Sequence, residues 1–386
     1  MSPRRSATTS PNDERFDRIL VIVTRQIGDV LLTTPLIRAA RVRWPAAAID
    51  VLGFAGTLSM LDGNADVAGR VEVDPGRGWR GALADIRRLW RRYDLALVAQ
   101  ESDRAHLYGW VAARVRSGIV PTRSATAWWK RRLLRHAVPI AGDRGAVHAV
   151  TEKLGLLAPW TDGPAEAEPV APASKPLPPA LAALVGGHCV VVQVPSMWRY
   201  KQWPVACYRA VVEALLADGW QVVLSGGPSA ADRAKTAEVA ACGKPPRLID
   251  ACGQLDFGQL AGLLRGAALY LGPDTSVTHL AAACGVAVIA LFGPSNPMRW
   301  APWPAGRQAP PPYERRNPRQ HNGRVLLLQG EAACPPGVPC GRAGCADHHA
   351  SPSICLEVGL SWQRVLAEAR AVLASAGAPA NDAAQR

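Results

Sequence analysis

The most restrictive part of this sequence is residues 272–300, in which short apolar runs alternate with polar turns and one helix of small residues. A predicted strand ends at the turn Asp274-Thr275-Ser276, where the helix begins, and a buried strand then leads to a second turn at 292–295. In an open parallel sheet both turns lie at the carboxyl edge, where ligands bind. The stretch therefore predicts an α/β domain with a nucleotide pocket.

The first turn has the chemistry of an anion site. Free backbone N–H groups at a helix start, together with the helix dipole, attract a diphosphate. Asp274, Thr275 and Ser276 stand at that start. The structural alternative is a plain N-cap followed by a core helix, because these residue types cap helices in many proteins.

Three motifs in order along the chain resemble those of a known family. They are residues 19–38, residues 198–204 and residues 272–300. Together they look like family-nine glycosyltransferases, the ADP-heptose lipopolysaccharide heptosyltransferases, and the middle motif is similar to the sugar-phosphate loop of the heptosyltransferase III branch. The resemblance implies a GT-B fold, in which two Rossmann-like domains with mostly parallel sheets face each other across a cleft.

Length and composition agree with two domains. The chain has 386 residues, 48% of them hydrophobic, which is enough for two cores. Prolines concentrate in residues 161–187, the predicted linker between an N-terminal acceptor domain at 16–160 and a C-terminal nucleotide-sugar domain at 188–376. Residues 1–15 and 377–386 are predicted to be disordered tails. The candidate strands are 19–23, 49–52, 95–99, 190–194, 222–224, 268–271 and 286–291, and 361–374 is a predicted amphipathic closing helix.

Asp29 is the candidate catalytic base. Sugar transfer needs a base that removes a proton from the acceptor hydroxyl, and Asp29 follows the first predicted strand at its carboxyl end. It also matches the family aspartate proposed for this role, whereas a helix N-cap is the structural alternative. Arg25 and Gly28 lie in the same loop and are assigned to the acceptor, with Arg25 meeting a phosphate or forming an ordinary surface charge.

Lys201 is the candidate cation for the leaving group. It lies in the loop after the strand predicted at 190–194, where a positive charge offsets the charge that develops on a departing diphosphate. Ser196 and Arg199 are assigned to the same donor site as a hydroxyl donor and a second phosphate contact. The tryptophans of this loop either shape the pocket or only pack.

The resemblance also assigns the rest of the donor site. Asp274 is expected to bind hydroxyls of the transferred sugar, and His279 is expected to be a structural hydrogen-bonding residue beside it. Gly226 and Gly227 follow a strand and allow a nucleoside to approach the backbone. The family commonly has glycine at the position of Ser276, and some members carry a ribose-binding glutamate that is missing here, so another nucleotide sugar is an alternative donor.

No cofactor is predicted. The sequence has no Asp-x-Asp pair of the kind that holds a metal-bound diphosphate, and the resemblance implies metal-independent transfer with inversion at the anomeric carbon. A segment at 334–355 is rich in cysteine, with thiols at Cys334, Cys340, Cys345 and Cys355. Because their spacing fits no common zinc motif, thiol packing or a disulfide is favoured over a metal site.

The net charge of +13 predicts an anionic partner. Two clusters, 87–93 and 128–135, interleave arginine with aromatic residues and suit an anionic bilayer surface, although solvated helix faces over buried tryptophans are the alternative. No nucleic-acid-reading motif is recognisable. Without a predicted signal peptide or membrane span, we expect a cytoplasmic protein, peripheral on the inner face of the inner membrane.

These observations predict an inverting, metal-independent glycosyltransferase that moves heptose from ADP-heptose to the phosphorylated inner core of a lipopolysaccharide precursor. A family-nine transferase that uses another nucleotide sugar is one alternative, and a non-catalytic, membrane-associated scaffold is another. The presence of Asp29, Lys201 and Asp274 together favours an enzyme, because a scaffold has no chemical need for all three.

Overall fold

The structure is a computed structural model that describes residues 14–122, 125, 127–140, 147–307, 312–332, 334 and 337–375. Most of both predicted tails lies outside the described residues. Glu14, which the sequence places in the N-terminal tail, is held by hydrogen bonds from Arg135 Nη1 at 2.6 Å and Trp160 Nε1 at 2.8 Å. The chain divides into two compact units, residues 1–170 and residues 171–386.

The first unit contains a parallel sheet with helices between its strands. Its strands are β1 (Arg18–Val23), β2 (Ala48–Phe54), β3 (Gly69–Val73), β4 (Tyr93–Val98), β5 (Ala113–Val120) and β6 (His136–Pro139). Its helices are α1 (Ile27–Leu31), α2 (Thr34–Arg43), α3 (Gly78–Leu89), α4 (Asp103–Ala112), α5 (Ala127–Leu133) and α6 (Ala149–Leu154). The strand order is β3-β2-β1-β4-β5-β6, so the order reverses beside β1, as in Rossmann-like sheets.

The central strand of this sheet explains why the sequence folds this way. Residues 19–23 are all buried, because a parallel strand covered by helices on both faces must be apolar throughout. Val21 of β1 is in register with Val51 of β2 on one side and Leu97 of β4 on the other. The strands predicted at 19–23, 49–52 and 95–99 are therefore confirmed to within a few residues.

The second unit repeats the alternation. Its strands are β7 (Cys189–Gln193), β8 (Gln221–Ser225), β9 (Leu248–Asp250), β10 (Leu269–Pro273), β11 (Val288–Phe292), β12 (Arg319–Asn322) and β13 (Val325–Gln329). Its helices are α7 (Pro179–Ala182), α8 (Val205–Ala217), α9 (Ala230–Ala240), α10 (Phe257–Gly266), α11 (Ser276–Cys284), α12 (Pro297–Trp300), α13 (Ile354–Glu357) and α14 (Trp362–Ser375). The order is β12-β13-β11-β10-β7-β8-β9. Among these described strands, β12 pairs antiparallel with β13 and the other pairs are parallel.

The predicted order of elements in 272–300 is confirmed. β10, α11 and β11 follow one another, and β10 pairs with β11 in parallel. Gly285 ends α11 with φ 77°, a left-handed conformation that favours glycine. The closing helix is also confirmed, since α14 packs on α8 and buries Val365, Leu366, Ala369 and Leu373.

The cysteines are all free thiols. The apolar sequence context of Cys189, Cys207 and Cys284 predicts core positions for all three. Cys189 is buried, but Cys207 and Cys284 are only half-buried. Cys284 is the last residue of α11, and Cys207 borders the buried side of α8 that contains Tyr208 and Val211.

The two basic clusters differ from their sequence interpretation. The first is not one helix, because α3 ends at Leu89 and the buried Tyr93 already belongs to β4. Trp90 and Trp128 are exposed rather than buried beneath a solvated face, so the packing alternative is wrong for these two residues. Trp129 of the second cluster is half-buried edge-to-face against His106, as that alternative expects. In the part of the chain that the structure describes, no helix combines the length and the apolar character needed to cross a membrane.

The end of β13 lies very close to the cysteine-rich segment. A Cβ atom at Gly330 would collide with the carbonyl oxygen of Cys355, and one at Gly359 would collide with the carbonyl oxygen of Glu331. Gly330 N also donates to the carbonyl oxygen of Phe292 at 2.8 Å. This approach of two backbones ties the segment to the carboxyl edge of the sheet.

We expect Gly330→Ala to lower the free energy of unfolding by about 1–3 kcal/mol, because the added methyl group meets backbone that cannot move aside. Chemical denaturation followed by tryptophan fluorescence would measure it. Gly187→Ala is the matched control, since its Cβ would have nothing within 4 Å. Equal stability of the two variants would contradict the close packing.

Candidate active site

The carboxyl edge of the second sheet brings together both turns of residues 272–300. The backbone N–H of Asp274 donates to the carbonyl oxygen of Leu291 on the neighbouring strand at 3.2 Å. Helix α11 begins at Ser276 with Thr275 at its N-cap position, but no side chain makes a capping hydrogen bond there. The alternative of an N-cap followed by a core helix therefore holds in position and burial, since residues 277–283 are buried, but Thr275 makes no side-chain capping bond.

An ion pair lies at the centre of this edge. Lys201 Nζ is 2.7 Å from Asp274 Oδ2, and their side chains are 21% and 5% exposed. Burial by itself would raise the pKa of Asp274. The opposite effect is larger and comes from the Lys201 charge, the His279 imidazole and hydrogen bonds from Lys201 and Ser295. The pKa of Asp274 therefore lies below its ordinary value of 3.8. Asp274 is therefore an anion at neutral pH.

His279 and Ser295 both lie close to this pair. His279 is one turn into α11 and buried, and its charge is one cause of the lowered pKa of Asp274. Gln329, at the end of β13, donates to the carbonyl oxygens of Gly293 at 2.9 Å and Ser295 at 3.1 Å and so holds the second turn. The structure thus groups Asp274, Lys201, His279 and Ser295.

The loop that carries Lys201 packs against the cysteine-rich segment. The rings of Trp198 and His349 stack with centroids 4.1 Å apart, and Arg199 N donates to the carbonyl oxygen of His349 at 3.0 Å. The guanidinium of Arg199 pairs with Glu357 at 2.6 Å. Arg199, assigned from the sequence to phosphate, thus has a protein carboxylate as its partner, and the segment anchors the short helical turn that ends at Lys201.

The other loop residues have mainly packing contacts. Trp203 is buried edge-to-face against Tyr208, and its Nε1 donates to the carbonyl oxygen of Leu360 at 2.9 Å. The structure therefore shows that Trp203 packs in the core and does not shape a pocket. Ser196 is buried, and its carbonyl oxygen accepts from Gln202 Nε2 at 2.7 Å.

The two glycines after β8 differ in how tightly they are packed. A Cβ atom at Gly226 would meet Cys252 Sγ and the ring of Pro195, so packing accounts for this glycine without a ligand. A Cβ atom at Gly227 would meet only the carboxylate at the end of the Asp232 side chain, which can move aside. The predicted role of both glycines in binding a nucleoside remains a proposal.

Asp29 lies in the first unit after β1, in the short helix α1. Gln26, not Asp29, occupies the N-cap position of α1, so the capping alternative for Asp29 is wrong. The Asp29 carboxylate pairs with Arg25, with Oδ1 3.2 Å from Nε, and it is mostly shielded from solvent whereas Arg25 is exposed. Gly28 is half-buried in α1, and its carbonyl oxygen accepts from Leu32 N at 3.0 Å.

A buried lysine holds the backbone of this loop. Lys153 Nζ, on α6, donates to the carbonyl oxygen of Asp29 at 2.9 Å and to Thr33 Oγ1 at 2.8 Å. Thr33 Oγ1 donates in turn to the same carbonyl oxygen at 2.7 Å. Lys153 is only 4% exposed, and this network fixes the turn between α1 and α2 that positions Asp29.

The four cysteines of residues 334–355 lie near one another. Burial, followed by the neighbouring thiols Cys340, Cys345 and Cys334, raises the pKa of Cys355 to about 12. Within the described residues, no three His, Cys, Asp or Glu side chains are placed to hold a metal ion. Of these four thiols, Cys355 is buried, Cys334 and Cys340 are half-buried and Cys345 is exposed.

Comparison with known proteins decides the family. The sequence profile of glycosyltransferase family 9 (heptosyltransferase) matches residues 83–316, which is more than half of the chain. The chain belongs to this family. The matched region contains Lys201 and Asp274 but not Asp29.

Individual members of glycosyltransferase family 9 agree with the profile. Lipopolysaccharide heptosyltransferase 3 of Escherichia coli is 30% identical over 292 residues, covering 72% of this chain and 83% of the relative. The family-9 glycosyltransferase structure from Veillonella parvula superposes with TM-score 0.70 at 18% identity, over 94% of this chain and 98% of that chain. The structure of E. coli ADP-heptose lipopolysaccharide heptosyltransferase II superposes with TM-score 0.66 at 20% identity, over 93% of this chain and 99% of that chain.

These comparisons establish the class of the protein. The chain is a glycosyltransferase with the α/β GT-B fold that the sequence motifs predicted. Sequence reasoning missed the supporting residues Lys153, Ser295, Gln329 and His349. Lys153 carried a weak signal, because it is a cation next to Glu152 within a largely apolar stretch at 149–157, and Gln329 carried another as the polar end of a buried strand.

We expect Lys153→Met to destabilise the first unit by about 1–3 kcal/mol, because the Asp29 carbonyl and the Thr33 hydroxyl lose a charged donor. Urea denaturation would measure this loss. Lys175→Met is the matched control, since Lys175 and its partner Asp256 are both exposed and such pairs contribute about 1 kcal/mol or less. If Lys153→Met and Lys175→Met lowered the free energy of unfolding by the same amount, the anchoring role of Lys153 would be contradicted.

The stability contribution of Asp274 should depend on pH. Its pKa is lower in the folded protein than in the unfolded chain, so the ionised carboxylate stabilises the fold above pH 3.8 and this contribution disappears as the pH falls through the folded value. We expect Asp274→Asn to cost about 1–3 kcal/mol at pH 7 and progressively less below pH 3.8.

Unfolding by denaturant at several pH values would test this, with Lys201→Met in the Asp274→Asn background as the control. If the pair is coupled, Lys201→Met costs less in that background than in the wild type. A cost of Asp274→Asn that does not change with pH would rule out the coupling.

Proposed function

We propose that this enzyme transfers a heptose from ADP-heptose to the phosphorylated inner core of a lipopolysaccharide precursor. The observation that carries the proposal is the shielded Lys201–Asp274 pair beside the start of α11. The donor assignment is supported by E. coli heptosyltransferase II, which is named for ADP-heptose and shares the fold. Residues 188–376 act as the donor domain, residues 16–160 as the acceptor domain and residues 161–187 as the linker.

On the donor side, charge is the main requirement. Lys201 neutralises the diphosphate as the bond to the anomeric carbon breaks, and Asp274 binds hydroxyls of the sugar while keeping Lys201 oriented. Backbone N–H groups at Thr275 and Ser276 add donors, because no side-chain cap competes for the start of α11. Smaller roles in donor binding are assigned to His279, Ser196, Arg199, Gly226 and Gly227.

On the acceptor side, Asp29 acts as the general base. Its carboxylate accepts the proton of the acceptor hydroxyl, the resulting oxygen forms a bond to the anomeric carbon, and the bond from that carbon to the diphosphate breaks to release ADP. Arg25 pairs with the carboxylate and meets an acceptor phosphate, with Gly28 beside it. One displacement of this kind inverts the anomeric configuration.

The reaction proceeds without a bound metal in this proposal, because Lys201 and the start of α11 together supply the positive potential that a diphosphate needs. The enzyme works at the cytoplasmic face of the inner membrane, where a lipid-anchored acceptor is available. Transfer from a different nucleotide sugar is the second candidate, supported by the absence near Ser229 of the ribose-binding glutamate that some members of the family carry.

Two substitutions separate the assigned roles. Asp29→Asn should lower the turnover number by about 10²- to 10⁴-fold, the usual value of a general base, and leave ADP affinity unchanged. Lys201→Ala should weaken both ADP binding and turnover. Calorimetric titration with ADP, UDP and GDP in the absence of metal, alongside transfer to deacylated core acceptor, would measure both effects.

Asp62→Asn is the matched control, because Asp62 forms a surface ion pair with Arg70 in the same unit. It should retain wild-type turnover. Full transfer by Asp29→Asn would remove the assigned base. Preferential binding of UDP or GDP would replace the donor while retaining the mechanism, and retention of the anomeric configuration in the product, read by NMR, would exclude the single displacement.

A further inference from the structure

Helix α3 exposes its large apolar side chains, whereas a surface helix normally buries them against the core. The side facing the first unit consists of Gly81, Asp85 and Leu89, whereas two tryptophans and two branched residues face outwards. The exposed fractions are 73% for Trp79, 38% for Leu83, 38% for Ile86 and 56% for Trp90. An isolated exposed apolar residue needs no explanation, but an ordered group of four does.

These four residues, which we call the α3 face, form one stripe. Their spacing of four, three and four residues places them within about 60° of one another around a helix with 100° per residue. The neighbouring helix α4 packs on α3 and exposes Leu107 and Trp110, 51% and 39%. Arg91 N donates to the carbonyl oxygen of Val111 at 3.0 Å, which keeps the ends of the two helices together.

Positive charge surrounds the α3 face. Residues 77–92 contain six arginines and a single acidic residue, Asp85. Asp85 is buried and its carboxylate is 3.1 Å from Arg88 Nη2, so it neutralises one of the six arginines and leaves a large excess of positive charge. The guanidinium of Arg80 lies 5.4 Å from the Trp79 ring centre, and that of Arg91 lies 5.6 Å from the Trp90 ring centre.

This combination selects one kind of partner. A second copy of the chain would bring two arginine-rich faces together, and like charges at close range repel each other. An anionic bilayer supplies hydrocarbon for the stripe, phosphates for the arginines and an interface in which tryptophan is favoured. The occupant with complementary charge and polarity is therefore a lipid surface.

We propose that the α3 face docks the first unit on an anionic phospholipid bilayer, with Trp79 and Trp90 at the boundary between headgroups and acyl chains. This inference rests on the proposed function, because docking is useful to an enzyme whose acceptor is anchored in lipid. It names α3 as the contact surface and leaves the second basic cluster, around Trp128, outside it.

Flotation of the full-length protein with vesicles tests the proposal. Wild type should float with phosphatidylethanolamine–phosphatidylglycerol vesicles and much less with pure phosphatidylcholine vesicles. The double variant Trp79→Ser/Trp90→Ser should lose about tenfold or more of its partitioning into the anionic vesicles. Arg80→Glu/Arg87→Glu should lose a similar amount, whereas Arg80→Lys/Arg87→Lys should retain binding because the positive charge is kept.

Trp128→Ser is the matched control, since Trp128 is 67% exposed on the same unit and also lies in a basic cluster. It should float like wild type. Wild-type flotation by Trp79→Ser/Trp90→Ser, or loss of flotation by Trp128→Ser alone, would overturn the proposal. A dimer that these tryptophan substitutions abolish, seen by sedimentation, would also overturn it in favour of a second copy as the occupant.

The activity of the same variants separates this proposal from the proposed function. Trp79→Ser/Trp90→Ser should transfer sugar at the wild-type rate to deacylated acceptor in solution, and about tenfold more slowly to acceptor embedded in anionic vesicles. Absence of transfer by the wild type would refute the proposed function while the flotation result still stands. Equal loss of rate on both acceptors would instead place the α3 face in the binding machinery and refute docking.

Discussion

The ion pair between Lys201 and Asp274 is the interaction on which the candidate donor site depends. A carboxylate that is 5% exposed stays ionised only because a cation, an imidazole and a hydroxyl surround it. The pair joins the loop after β7 to the turn after β10, two adjacent parallel strands. It thereby places a positive charge beside the start of α11, where backbone N–H groups point the same way.

Both candidate catalytic loops are held by residues far away in sequence. Lys153 anchors the backbone at Asp29 from 124 positions away, and Glu357 pairs with Arg199 from 158 positions away. The cysteine-rich segment thus has a structural task in this enzyme, because its His349 stacks on the loop of Lys201. Such anchoring restricts side chains that would otherwise be mobile, and catalysis needs groups fixed in position.

Much of the fold was predictable because it follows from local pattern. Continuous apolar runs mark strands covered on both faces, and every strand expected from them is present within two residues. The roles of single side chains were less predictable. Asp29 has the residue type of a helix cap, yet Gln26 takes the cap position, and Arg199 is suited to phosphate, yet it pairs with Glu357. The residue type limits which groups a side chain can bind. Which of those groups it does bind depends on which one the folded chain brings within contact distance.

The sequence by itself determined the α/β alternation, the turns at the carboxyl edges and the motifs at 198–204 and 272–300, which lie within the match to glycosyltransferase family 9, because each depends on residues that are close along the chain. Only the tertiary structure decided which polar residues meet. The pairing of Lys201 with Asp274, the anchoring by Lys153 and the outward side of α3 all depend on contacts or burial set by distant segments. Helical periodicity shows that α3 has an apolar stripe, but only packing shows that the stripe faces out.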